Sequence, residues 1–195
     1  MGRIAAKDAV RLHLEKTRGL RLPVREISIL ADERGRPHAH VPLLETAGAS
    51  PTVSIAHTDG VAVAVASGRG DAIGIDVERL DRRRGDYERA AFDDDERRRL
   101  DAGTPGERAA RALRLFCAKE AAAKATGLGL MGSPLNLRIL DADATLTHVV
   151  LEAAGRLAEA FPDGRDRRFA AWIDDVDGIL IALAAGLPAG RSAAP

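Results

Sequence analysis

Five side chains in two short stretches have the types and spacing for metal-assisted phosphate chemistry. Ile73-Gly-Ile-Asp-Val-Glu78 reads as a buried strand carrying two carboxylates at alternate positions. A strand repeats its facing every second residue, so Asp76 and Glu78 share one face. Two anions side by side repel, and near a core they are costly unless a cation joins them. The second stretch, Phe116-Cys-Ala-Lys-Glu-Ala-Ala-Ala-Lys124, is rich in strong helix formers and free of Gly and Pro. Glu120 and Lys124, four apart, lie on one side of that helix. Lys119 sits about 100° round from Glu120. Glu120 is placed to be a third oxygen ligand, delivered from the helix to the strand. A hard divalent cation held by a few carboxylates, with water and substrate phosphates completing its shell, is typical of Mg²⁺. The bland alternatives are a solvated Ala-rich helix with one ion pair and a pair of edge-strand acids facing water.

The elements that must position these groups follow from the pattern of the chain. Ile4 to Arg18 reads as a helix stopped near Gly19. Strands are expected at Val24–Leu30 and His38–Leu44, with a turn at Asp32-Glu-Arg-Gly-Arg-Pro37 between them. Thr52–Ala56 and Val61–Ser67 read as a hairpin with Asp-Gly at its turn. After the Ile73–Glu78 strand comes a charged connector that includes Arg82-Arg-Arg84. Asp93-Asp-Asp-Glu96 followed by Arg97-Arg-Arg99 places acids at a helix start and bases near its end, as the macrodipole prefers. Gly103–Gly106 breaks that helix, and Glu107 opens the long one, which stops around Thr126-Gly-Leu-Gly129. Leu135–Leu140 and Thr145–Leu151 read as strands and Glu152–Phe161 as a helix. Arg168–Ile173 and Ile179–Ala185 form a final strand pair. The tail from 188 to 195 is expected to be frayed.

Three echoes run in the same order along the chain: Ala6-Lys-Asp-Ala9 with Ala118-Lys-Glu-Ala121, Ile27-Ser-Ile-Leu30 with Leu137-Arg-Ile-Leu140, and Asp59–Gly68 with Asp177–Gly186. They predict an α+β fold of two related halves, each a long helix on a small antiparallel sheet. The expected boundaries are 1–70 and 71–187. Only the second half has the Asp76/Glu78 pair ahead of its helix, so one cleft between the halves is expected to be chemically complete.

Composition narrows the function. The 195 residues carry 29 acids and 29 bases, which argues against a nucleic-acid or membrane-surface binder, since such proteins usually show a basic excess. Aromatics make up only 3%, so the core is built from Ala, Val, Leu and Ile. Cys117 is alone, so no internal disulfide can form, and it reads as a small buried side chain. His38 and His40 alternate without a Cys or third His beside them, which argues against a zinc site. No leader-like or membrane-length apolar run is present, and a cytoplasmic location is expected.

Gly74-Ile-Asp-Val-Glu78 followed by Phe116-x-x-Lys-Glu-Ala-x-x-Lys124 resembles the signature of the 4′-phosphopantetheinyl transferases. Gly35-Arg-Pro37 and Ser54-Ile-Ala-His57 look like that family's Gly-Lys-Pro and Ser-x-Ser-His segments, in the family's order. The resemblance covers roughly residues 24 to 186. The duplicated layout resembles the surfactin-type, pseudo-dimeric branch. Phe116, where that branch usually has Trp, is more like the short, single-half branch or the transferase domains fused to polyketide synthases. The resemblance implies transfer of phosphopantetheine from coenzyme A to a Ser hydroxyl of an acyl or peptidyl carrier protein of fatty-acid, polyketide or nonribosomal-peptide assembly. Adenosine 3′,5′-bisphosphate would be the other product. By the same resemblance, Asp76, Glu78 and Glu120 hold Mg²⁺, and Glu120 takes the Ser proton. Lys119 and Lys124 stabilise phosphate oxygens, His57 binds the 3′-phosphate, and Arg36 with Pro37 flanks the adenine nucleotide. Ala56 departs from the family by removing a hydroxyl beside His57.

Carrier proteins present an acidic helix near their Ser. Arg108, Arg111 and Arg114 are candidates for the facing surface, along with Gly127-Leu-Gly-Leu-Met131. The chain is expected to act as a monomer without nucleic-acid or membrane partners. The competing readings are a non-catalytic carrier-binding module with a degenerate site, and a generic Mg²⁺ phosphohydrolase supported only by the carboxylates.

Overall fold

Helix α1 (Gly2–Arg18) buries Ala6, Val10 and Leu14, four residues apart, and stops at Gly19 as the pattern predicts. The following stretch departs from expectation. Val24–Glu26 is a 3₁₀ turn, and strand β1 is only Ser28–Ala31. Strand β2 (Pro37–His40) ends before Pro42, which opens a single-turn helix, α2 (Pro42–Glu45), in place of a continued strand. Proline lacks the ladder N–H and has a φ suited to the first turn of a helix. Strands β3 (Thr52–Thr58) and β4 (Val61–Ser67) form the expected hairpin. The computed structural model describes residues 1–45, 50–81, 87–101, 104–161 and 167–188.

These four strands form one antiparallel sheet in the order β1-β2-β3-β4. Its core face, through Ile29, Ala39 and Val53, shares one apolar cluster with α1, which Val41 after β2 also joins.

Strand β5 (Ile73–Arg79) begins a second, five-stranded sheet. Helices α3 (Glu88–Ala91), α4 (Asp94–Leu100) and α5 (Pro105–Thr126) follow. Both α4 and α5 open with reciprocal capping boxes, Asp93 with Glu96 and Thr104 with Glu107. Pro105 at the first turn starts α5 two residues ahead of the expected Glu107. Strands β6 (Leu137–Ala142), β7 (His148–Ala153), β8 (Arg168–Val176) and β9 (Ile179–Gly186) complete the sheet, with α6 (Gly155–Glu159) between β7 and β8. The order is β5-β9-β8-β7-β6, all antiparallel.

The fold is therefore α+β. The basic run Arg82-Arg-Arg84, Gly103 and residues 189–195 of the expected tail lie outside the described residues. Among the described residues no helix is long and apolar enough to cross a membrane.

The two sheets touch through β5. Its odd-numbered side chains, Ile75 and Val77, pack with Ala56, Val63, Val65 and Ile181. The Ile75 N–H donates to Ser54 Oγ at 3.1 Å, so a β3 hydroxyl satisfies a β5 donor. The even-numbered side chains face α5. Gly74 makes that packing possible, because a Cβ there would run into the Ala121 carbonyl and the Ala125 amide of the helix.

Candidate active site

Strand periodicity and register together put Asp76 and Glu78 under α5. Asp76 pairs with Ala182 and Glu78 with Leu180, and both partners belong to the core beneath that helix. The two carboxylates are 7% and 6% exposed, a degree of burial that acids rarely show without compensation. Part of that compensation is Lys124, in the last turn of α5. Its ammonium donates to Asp76 Oδ1 at 2.8 Å and to the Ile75 carbonyl at 3.0 Å. The other oxygen, Asp76 Oδ2, is buried with no hydrogen-bond partner among the described residues. Cys117 lies fully buried on the same side of α5, as expected. Burial, then the charges of Asp76 and Glu78, push its thiol well above the ordinary range.

Glu120 is half-buried, one turn before Lys124. Among the described residues, however, no group of three acidic, His or Cys side chains is arranged to hold a metal ion. The structure brings Asp76 and Glu78 onto the buried face of β5 under α5, the helix that carries Glu120.

Lys119 is the clearest correction. It is expected at phosphate oxygens, but it is 0% exposed and has no surface to offer a ligand. Its Nζ donates to Glu96 Oε2 at 2.7 Å and to the Ala91 carbonyl at 2.8 Å, and lies 5.1 Å from the centre of the Phe92 ring. Burial pulls its pKa below the ordinary value, with Glu96 opposing. Glu96 was legible only as a helix-capping acid. That it also accepts from the Ile139 N–H at 2.8 Å has no local signal.

Arg36, Pro37 and Lys124 line one cleft of about 1650 Å³, together with His38, Ser54 and Gly127. Arg36 is held from both sides. Its Nε donates to Asp32 Oδ2 at 2.7 Å, and this contact keeps Asp32 below the usual carboxylate range. Its guanidinium also covers Gly127, the left-handed cap of α5, where any Cβ would collide with Nη1. A cation there suits the negative end of the helix dipole.

His57 does not line this cleft. It is exposed in a second cavity of about 830 Å³ beside Arg3 and the start of α1, with Ile55 bordering both spaces. Arg3 lines the same cavity as His57, and nothing local in the chain connects residue 3 with residue 57.

The arginines considered for a partner face are engaged within the protein. Arg108 binds Glu88 and Asp101, Arg111 donates to the Arg99 and Ala144 carbonyls, and Arg114 lies 3.6 Å from Asp175.

A family model described as the 4′-phosphopantetheinyl transferase superfamily matches residues 72–171, just over half of the chain, and so runs from β5 through α5, β6 and β7 into the start of β8. The chain belongs to that superfamily. No curated protein matches it. Transferases of this superfamily take the phosphopantetheine group from coenzyme A and have carrier proteins as their acceptors.

Proposed function

We propose that this transferase moves 4′-phosphopantetheine from coenzyme A to a serine of an apo acyl or peptidyl carrier protein, with Mg²⁺ as cofactor. The observation that carries the reading is the buried Asp76/Glu78 pair facing Lys124, inside the matched segment. The donor set fits a hard cation. Two carboxylates share one strand face, one buried oxygen of Asp76 lacks a partner, and oxygen is the ligand Mg²⁺ prefers. Asp76 and Glu78 would hold the ion, and Glu120 would join when coenzyme A brings its phosphates, since Mg²⁺ sites are completed by substrate and water. When bound, the ion neutralises charge on the pyrophosphate and orients it.

The chain's own groups do the rest. Lys124, at the cleft wall, is within the length of one side chain of both β5 and the cleft, and stabilises a phosphate oxygen. Glu120, or a water it holds, accepts the serine proton. The serine Oγ forms a bond to the phosphorus bearing pantetheine while the phosphoanhydride bond breaks. Adenosine 3′,5′-bisphosphate leaves with that bond's electron pair. Arg36 and Pro37 flank the nucleotide. His57, with Arg3 beside it, binds the 3′-phosphate in place of the hydroxyl lost at Ala56.

We read residues 1–70 and 71–187, each with one long helix and an antiparallel sheet, as duplicated halves of the surfactin-type branch. The site would lie in the cleft between them, and one chain would act as a pseudo-dimer. The test is direct: incubate the protein with coenzyme A, Mg²⁺ and an apo carrier protein, and weigh the carrier. A gain of one phosphopantetheine supports the proposal. Carrier binding without mass gain would point to a non-catalytic module. Phosphate release without a carrier would point to a phosphohydrolase.

A further inference from the structure

We infer that Lys119 and Glu96 are a positioning pair that sets the rotation of α5 and thereby aims Glu120 and Lys124 at the β5 carboxylates. The inference rests on the transferase reading above. The half of α5 that carries Glu120 and Lys124 is buried through Ala118, Ala121, Ala122 and Ala125, while the bulkier Leu113, Leu115 and Phe116 pack nearer its start. Methyl groups make shallow ridges, and shallow ridges resist rotation about the helix axis weakly. Direction must come from side chains with demanding partners.

Lys119 has such partners. Its ammonium meets a carboxylate, a carbonyl and an aromatic face, contributed by α4, α3 and the residue after α3. Glu96 is fastened in turn by the Asp93 N–H at 3.1 Å and the Ile139 N–H at 2.8 Å, so β6 joins the same node. A buried ion pair adds little net stability over an apolar pair of similar volume, but it penalises any geometry that separates the charges. Adjacent helical residues diverge by about 100°, so fixing Lys119 fixes Glu120. On the other flank, the Lys124–Asp76 contact closes the second lock.

The experiment compares wild type, Lys119→Met and the double variant Lys119→Met/Glu96→Gln. Each is assayed for kcat and KM in transfer, and for amide hydrogen exchange over residues 117–124. Lys119→Met is expected to lower kcat by ~10²-fold, the scale of a small misplacement of catalytic groups, with KM for coenzyme A little changed. Exchange in that stretch should rise. The double variant removes both charges while keeping an acceptor for the Ile139 N–H. It should return exchange to the wild-type pattern and restore most of kcat.

Three results overturn the inference. One is a wild-type kcat in Lys119→Met. Another is a double variant that regains wild-type exchange but stays as slow as the single, which would make the lysine charge itself catalytic. The third is a raised KM for coenzyme A at constant kcat, the mark of a direct ligand. Should wild type itself transfer nothing, the transferase reading falls, while the exchange patterns still decide whether the pair holds the helix.

Discussion

Two helices pack on two sheets in this protein, and their undersides differ in kind. Beneath α1 the packed cluster is apolar, with Ala6, Val10 and Leu14 against Ile29, Ala39 and Val53. Beneath α5 an alanine surface is interrupted by Asp76, Glu78, Lys124 and the buried thiol of Cys117. Polar groups at a helix–sheet contact are expensive, so a fold that keeps them retains them for a reason other than packing. The first contact serves packing, and the second is where we place the proposed chemistry.

Substitutions can break this division. The largest effect is expected at the polar contact: Asp76→Ala and Glu120→Ala should each lower transfer by ~10²–10³-fold. The melting temperature should stay close to wild type, since Lys124 is partly exposed and can hydrate. Wild-type transfer by either variant would remove the metal assignment. Next comes Leu14→Ala under α1, which should destabilise by about 3 kcal/mol in denaturant unfolding through the cavity it leaves. Its kcat per folded molecule should be unchanged; a proportional fall in kcat would show that the two contacts are not separate.

Gly74→Ala tests the place where packing and chemistry coincide. The added methyl meets helix backbone, so a loss of about 1–3 kcal/mol is expected, together with reduced transfer as α5 is pushed off β5. A stable variant with full activity would mean that the helix has slack.

The smallest effect lies away from both contacts, at Asp143 in the β6–β7 turn. Burial acts to raise its pKa, but hydrogen bonds from the His148 N–H, Thr145 and Thr147 prevail and hold it at about 2, below the ordinary 3.8. A depressed carboxylate contributes stability that is complete above its unfolded value and lost as pH falls through the folded one. Acid titration of Asp143→Asn should therefore show a shallower loss of stability between these two values than wild type. An unchanged acid limb would exclude this turn as a contributor.

Much of the architecture was legible because it is local. Period two placed Asp76 and Glu78 on one face, Asp-Gly marked the β3–β4 turn, and a run of acids marked the start of α4. Where the reading slipped, a competing local rule usually explains it: Pro42 converted an expected strand end into α2, and Val24–Glu26 coiled ahead of β1. Lys119 and Lys124 show a different kind of limit. Both lysines sit on one helix with similar neighbours in sequence. One is sealed in the interior against Glu96, and the other stands at a cleft wall holding Asp76.

The amino-acid sequence by itself determined the family, the helix and strand that carry the acids, and which side chains share a face, because these depend on backbone periodicity and short-range capping. Only the tertiary structure decided which face of α5 is covered, that Glu96 rather than a phosphate receives Lys119, and that Arg3 stands beside His57. Those outcomes depend on segments far apart in the chain reaching the same point in space, and no local pattern encodes that meeting.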